Sequence, residues 1–420
     1  MVYAAYNSLL RLAAPLGALW LRRSPKHRLL LARFRPPVPA MDGPALWVHA
    51  CSVGEVNTAR PILEALRKRF PGLPLLLTVS TASGYDLAHK TITGAHVTWL
   101  PFDTRPALRN FLREAKPRAL ALIETELWPN TLRECRRHGI PAIVINGRLS
   151  DKHYTRYRRH RWFFRPVFRQ LAAAGVQNEE YAQRFTSLGL PAQRVTVTGN
   201  TKFDGVTTAV SPKIRSCLRA ENGFHPGHPL LLFGSTRPGD EVLAAEIWAQ
   251  LRDAFPELRI AVAPRHLDRI GEAIAPFHEP ILRRSQVKAG QRPGEERVFF
   301  LDTVGELVHF YAIASIAVVG GSFHPGVNGH NPLEPAALGI PTVFGPFMSN
   351  FPDPARVLVE ARGAIQLSSP GELLPALREL LFAPEEGRQL GTRGRKAVLD
   401  NQGAIQRNVD LIAGTMSPGS

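Results

Sequence analysis

A chain of 420 residues is too long for one compact core and predicts two domains of ordinary size. At 44% hydrophobic and 21% charged it is globular rather than disordered, and its three widely spaced cysteines, Cys51, Cys135 and Cys217, imply a reducing compartment and form no CxxC or His/Cys ligand pattern. The 52 Lys and Arg against 35 Asp and Glu, a formal +17, leave the fold open but favour a polyanionic partner, whether nucleic acid, anionic lipid or a phosphorylated substrate.

The first stretch, MVYAAYNSLLRLAAPLGALWLRRSPKHR, is apolar with Arg11 as its one charge before Arg22, and a basic cluster follows. Its unbroken apolar runs are too short for a transmembrane helix. A secretory signal would carry its positive charge first and end in a small-residue cleavage site. Residues 1–40 therefore read as a membrane-associating segment, an interfacial helix with a basic flank. An ordinary amphipathic helix packed on the protein body is the alternative.

Strand patterns follow at 45–50, 74–80, 95–100, 118–123, 141–145 and 172–176, with helical patterns between them, including 56–69 and 105–115. This rhythm predicts a parallel sheet covered by helices on both faces. A turn-rich stretch near 199–228 interrupts it, and strands resume at 229–234, 258–263, 297–301, 315–320 and 340–344. The expected architecture is α/β, with two Rossmann-like domains facing a cleft. Residues 41–205 form the first, 206–228 a linker and 229–420 the second.

Ligands of parallel α/β sheets sit beyond the carboxyl ends of the strands, and here nearly every strand end carries glycine, hydroxyl, charge or histidine. After 45–50 comes CSVGEV, in which Ser52 and Glu55 have capping-box spacing. The functional alternative makes Glu55 a general base, kept ionised by the positive end of its helix. After 118–123 comes ETELWPN. Alternation in an extended segment would place Glu124 and Glu126 on one side of the chain, needing basic partners that the segment after residue 150 could supply. Either acid could instead cap a helix starting at Pro129. In the second half GSTRPGDE offers glycines and hydroxyls suited to phosphate, PRH supplies Arg265 and His266, and NGHNPLEPAALGIPTVFG places Glu334 three residues past a potential cap, Asn331. That spacing suits ribose hydroxyls, or a simple cap.

Together these stretches resemble the Kdo (3-deoxy-D-manno-octulosonic acid) transferases of Gram-negative lipopolysaccharide synthesis, glycosyltransferases of GT-B type. LWVHACSVGEV, LPFD, PRALALIETELWPN, NGRLSDKHYTRYRR, GNTKFD, PRH, DTVGEL and GHNPLEPAALGIPTVFGP occur in family order over most of the chain. The resemblance implies an acceptor-binding first half and a second half that binds CMP-Kdo. It implies transfer with inversion to a tetraacylated, bisphosphorylated lipid A precursor at the cytoplasmic face of the inner membrane. Glu55 would be the base and Glu124 essential. Ser235, Thr236, Arg265, His266, Gly321, Asn331 and Glu334 would surround the donor, and Ser52, Ser83, Glu126, Arg148 and Lys152 would contact the acceptor. No metal and no cofactor are expected.

Where the family usually reads STHEGE this chain reads STRPGDE, so Arg237 stands for a histidine and carries no assigned role. HPGVNGHN is one residue longer than usual, and STASG replaces a Thr/Pro-rich loop. Residues 152–169, KHYTRYRRHRWFFRPVFR, interleave basic and aromatic residues. With the amino-terminal segment in the same chain, an anionic membrane surface is preferred to single-stranded nucleic acid as partner. The rival readings are a GT-B enzyme with another nucleotide-sugar donor, or a nucleic-acid-binding protein on a degraded enzyme fold.

Overall fold

The structure, a computed structural model, describes residues 2–23 and 25–416; Met1, Ser24 and residues 417–420 of the expected terminal segments lie outside it. The first unit contains β1 (Leu46–Ala50), β2 (Leu75–Val79), β3 (His96–Trp99), β4 (Ala119–Ile123), β5 (Ala142–Gly147), β6 (Ala173–Val176) and β7 (Val195–Val197). All pair in parallel in the order β3-β2-β1-β4-β5-β6-β7. The second contains β8 (Leu230–Thr236), β9 (Arg259–Pro264), β10 (Ile281–Arg283), β11 (Val298–Phe300), β12 (Ile316–Val319), β13 (Thr342–Phe344) and β14 (Ile365–Gln366). It is also parallel, in the order β10-β11-β9-β8-β12-β13-β14. Each sheet is doubly wound, and strand order reverses between β1 and β4 and between β8 and β12.

Continuous apolar strands such as ALALI at β4 are buried along their whole length because helices cover both faces. Trp47, Phe111, Phe168 and Phe185 pack on one face of the first sheet, and Val48, Ile62, Ile143 and Ile412 on the other. The helix Arg105–Ala115 shows how pattern becomes packing. Leu108, Phe111, Leu112 and Ala115 fall on one stripe and are buried, and the helix stops where Lys116 turns left-handed, at φ 41°.

Two expectations about domain limits need correction. The chain divides after Asp204 and again after Asn401, so residues 402–416 belong with the first unit. Val409 and Ile412 of the helix Ala404–Met416 complete the first core, and buried Asn408 accepts from the Asn146 amide (3.1 Å) and the Thr198 hydroxyl (3.2 Å). The supposed linker is also not structureless. It contains the helix Pro212–Glu221, and Leu218 and Phe224 enter the second unit's core.

The helix Val2–Arg23 is held to the first unit by its polar face. The Tyr6 hydroxyl donates to Asp103 (2.9 Å), and Asn7 exchanges hydrogen bonds with Asn130. Its other side leaves Leu9, Leu12, Leu16 and Trp20 exposed at helical spacing, with Leu12 at 72% and Leu16 at 71%. Among the described residues no helix is long and apolar enough to cross a membrane.

Candidate functional site

Glu55 is the third residue of the helix Val53–Arg69, which begins directly beyond β1. Ser52 caps that helix, accepting from the Glu55 amide and donating to Glu55 Oε1 (3.4 Å). The other oxygen, Oε2, accepts from the backbone amide of Cys51 at 2.7 Å. The local geometry is thus close to a capping box, but the carboxyl differs from the expected anion. It is 9% exposed, and burial, with Glu124 and Glu126 nearby, pushes its pKa up to about 8 against the Cys51 and Ser52 hydrogen bonds. Glu55 therefore keeps a proton at neutral pH; desolvation and like charge outweigh the helix end.

The second expectation to fail is extended alternation at ETE. Glu124 adopts φ 60°, so the chain turns sharply as it leaves β4. The acids nevertheless gather. A carboxylate oxygen of Glu126, one of Glu55 and the sulfur of Cys51 all lie within 4.8 Å of one another. Burial raises the pKa of Glu126 and takes the Cys51 thiol to about 12. These donor types could ligate a cation. Protonated Glu55 and Cys51 beside the buried Arg33, however, make a proton-sharing cluster, the better fit to the groups present.

Neither glutamate caps the next helix. Pro129–Arg137 starts where expected, but its free amides at Asn130 (2.9 Å) and Thr131 (2.7 Å) bind Asp103, which also accepts from the Thr131 hydroxyl (2.7 Å). The basic partners also come from elsewhere than the segment after residue 150. Arg148 Nε pairs with Glu124 at 2.8 Å. Arg33, 8% exposed, donates to the Leu100 carbonyl (2.9 Å) and the Ser80 carbonyl (3.4 Å) and acts electrostatically on Glu126 and Cys51. Of the other expected acceptor contacts, Ser83 lies exposed near the start of the helix Ala82–Thr91, and Lys152 is exposed in Asp151–Arg159.

The second reversal has the opposite character. Near the end of β8, Ser235 is left-handed at φ 57°, and Gly320 beyond β12 comes so near that a Cβ there would sit 2.5 Å from the Ser235 carbonyl oxygen. Asp240 ties the two loops, accepting from the amides of Arg237 (2.9 Å) and Gly321 (2.6 Å); burial raises its pKa to about 6. The Thr236 hydroxyl faces inward and donates to buried Glu241 (2.8 Å), which removes it as a side-chain contact for the donor. Arg265 and His266 stand exposed beyond β9. Asn331 accepts from the Leu333 amide (3.1 Å) and donates to Glu334 (3.4 Å), whose pKa burial raises. Between these loops Arg237 donates from Nε to His330 (3.2 Å) and from Nη1 to His266 (2.5 Å).

With both sites described, likeness to known proteins decides the family. A family model for 3-deoxy-D-manno-octulosonic-acid transferase (kdotransferase) matches residues 22–205. The 3-deoxy-D-manno-octulosonic acid transferase of Haemophilus influenzae is 30% identical over 97% of each chain. That of Bordetella pertussis is 32% identical over 97% of this chain and 98% of its own. The chain belongs to the Kdo transferase family. It is thus a glycosyltransferase of lipopolysaccharide biosynthesis that transfers Kdo. HepE of Anabaena, solved with UDP, superposes with a TM-score of 0.57 at 15% identity, covering 89% of this chain and 99% of its own, which supports the GT-B fold class.

Sequence reasoning missed four groups that the fold adds to these clusters. Asp103 lies in the quoted LPFD stretch, directly beyond β3, and position alone could have singled it out. Arg33 gave no signal, because the carbonyls it binds lie far along the chain. Asp240 and His330 sat inside quoted motifs, but their partners depend on strand order.

Proposed function

We propose that this Kdo transferase moves Kdo from CMP-Kdo, with inversion, to a sugar hydroxyl of a tetraacylated, bisphosphorylated lipid A precursor at the cytoplasmic face of the inner membrane. The reading rests above all on the placement of Glu55 at the first strand-order reversal, beside Glu126 and Cys51 within 4.8 Å. Ligands of doubly wound sheets bind at that point.

In the reaction the acceptor oxygen forms a bond to the anomeric carbon of Kdo while the bond from that carbon to the phosphate oxygen breaks. The hydroxyl proton passes to Glu55, and the electron pair leaves with CMP. A base whose pKa is about 8 binds that proton more strongly than an ordinary carboxylate would. Its ionised fraction grows with pH, so turnover rises through that range. Glu124, oriented by Arg148, and Glu126 supply the negative field that favours proton uptake. Ser235, Gly321, Asn331 and Glu334, with Arg265 and His266, hold the nucleotide. The exposed leucines of Val2–Arg23 and the basic helix Asp151–Arg159 favour an anionic membrane surface, where the acyl chains of the acceptor reside.

The test is to incubate the purified protein with CMP-Kdo and the lipid A precursor and weigh the lipid product. A mass gain of one or more Kdo units is expected. An unchanged lipid mass with active donor and intact protein would overturn the reading.

A further inference from the structure

The surroundings of Arg237 are unusual for a half-buried cation. Among the described residues no carboxylate lies within ion-pair distance of Arg237 or of its neighbour Arg265. Instead Arg237 rests on two imidazoles, donating to His330 Nε2 at 3.2 Å and to His266 Nε2 at 2.5 Å. An imidazole nitrogen can accept only when it carries no proton, so both contacts require neutral rings. The loop that carries Arg237 is itself fixed, because its amide donates to buried Asp240 and Asp240 also holds Gly321. A guanidinium has five N–H donors, and three remain after these two contacts. The group is thus held in place by uncharged supports, with no side-chain ion pair of its own among the described residues.

We propose that Arg237 is a phosphate clamp: it receives the phosphate of the nucleotide donor, with His266 and His330 as neutral acceptors that aim it. The inference rests on the donor-site reading above only in taking the phosphate to belong to a nucleotide; the clamp itself needs only a phosphoryl oxygen. Three observations support it. The groups converge from the ends of β8, β9 and β12, around the second strand-order reversal. Ser235 and Gly321 are both left-handed there, and Gly320 passes too close to Ser235 for a side chain. His330 is held neutral, its pKa lowered to about 4 by burial and by Arg237, Arg265 and His266. An arginine here also has a consequence that histidine would not. A guanidinium keeps its charge through neutrality, so the clamp stays cationic across the pH range in which Glu55 loses its proton.

The test compares the full-length wild type with Arg237→Gln, Arg237→Lys and Arg237→His. Calorimetry measures CMP against cytidine, which lacks the phosphate, and proton NMR follows the His266 and His330 ring signals during titration with inorganic phosphate. Wild type should prefer CMP to cytidine by about tenfold or more, as a charge-assisted contact allows. Arg237→Gln should lose most of that preference with cytidine binding unchanged, and Arg237→Lys should restore part of it. Arg237→His should make the preference fall as pH rises through the imidazole range. Phosphate should move both ring signals in wild type and neither in Arg237→Gln. Equal loss of CMP and cytidine, or an undiminished preference in Arg237→Gln, would overturn the clamp while leaving CMP as the donor nucleotide. Arg237-dependent phosphate shifts in a protein that binds no CMP would uphold the clamp and remove the CMP-Kdo reading instead.

Discussion

The two sheets reverse strand order in the same manner, yet the groups gathered at the reversals are acidic at one and basic at the other. Beyond β1 and β4 stand Glu55, Glu124 and Glu126; beyond β8, β9 and β12 stand Arg237, Arg265, His266 and His330. In both places burial acts together with like neighbours. At the first it pushes Glu55 up to about 8, and at the second it pushes His330 down to about 4. Buried Glu134 shows the contrasting case. Burial alone would raise its pKa, but Arg137 (2.8 Å), Arg105 (3.3 Å) and Arg109 (3.4 Å) surround it and the net shift is downward. A fully compensated acid belongs to the scaffold. Buried titratable groups that lack such full pairing cost stability, and at strand-order reversals they mark where ligands bind.

The strongest way to break this comparison is to neutralise the first cluster at its centre. Glu55→Gln keeps the shape and the capping geometry but cannot accept a proton. Turnover should fall by about a thousandfold or more, while CMP affinity stays within twofold of wild type. Mass spectrometry of the lipid product and calorimetry with CMP measure the two separately. A parallel loss in both would mean that Glu55 acts only as a helix cap.

Next in size is the support beneath that cluster. Asp103 accepts from two amides and two hydroxyls and joins Val2–Arg23 to the helix that follows ETELW. Asp103→Ala leaves those donors buried and unpaired, and should destabilise the first unit by roughly 2–4 kcal/mol. Urea unfolding followed by tryptophan fluorescence would detect this, and an unchanged midpoint would show that water replaces the carboxylate without loss.

Much of this was legible in the sequence. The runs at 45–50, 118–123 and 229–234 announced central parallel strands, because full burial on both faces demands continuous apolar residues. The short edge strands β7, β10 and β14 gave no such signal, since an edge is less buried and pattern contrast fades. Glu55 and Glu124 were visible because strand ends are where polar residues interrupt apolar runs. The proton on Glu55 was not visible: it depends on burial and on Glu124 and Glu126 meeting it in space. The return of Ala404–Met416 to the first core was hidden for the same reason, because an apolar helical stripe does not name the sheet it covers.

A smaller effect is expected at the membrane. Leu12 and Leu16 lie on the exposed stripe of Val2–Arg23, away from the face that binds Asp103. Leu12→Glu with Leu16→Glu should reduce partitioning onto phosphatidylglycerol vesicles by about tenfold or more, given the apolar burial lost. CMP binding should not change. Undiminished vesicle binding would shift attention to the basic helix Asp151–Arg159.

The smallest and most discriminating change concerns proton affinity. Between the ordinary carboxylate range and pH 8 the folded protein holds a proton on Glu55 that the unfolded chain has lost, so stability falls as pH rises through that window. Over the same range the ionised base accumulates and turnover rises. Glu126→Gln removes a like charge from beside Glu55, which lowers the Glu55 pKa. The rising limb of the rate profile should therefore move to lower pH, by about half a unit to one unit, and the pH slope of stability should weaken with it. Rate profiles that stay fixed while the stability slopes move would place the titrating group outside the reaction. Movement of both together ties the acids beyond β1 and β4 to the proton that leaves the acceptor.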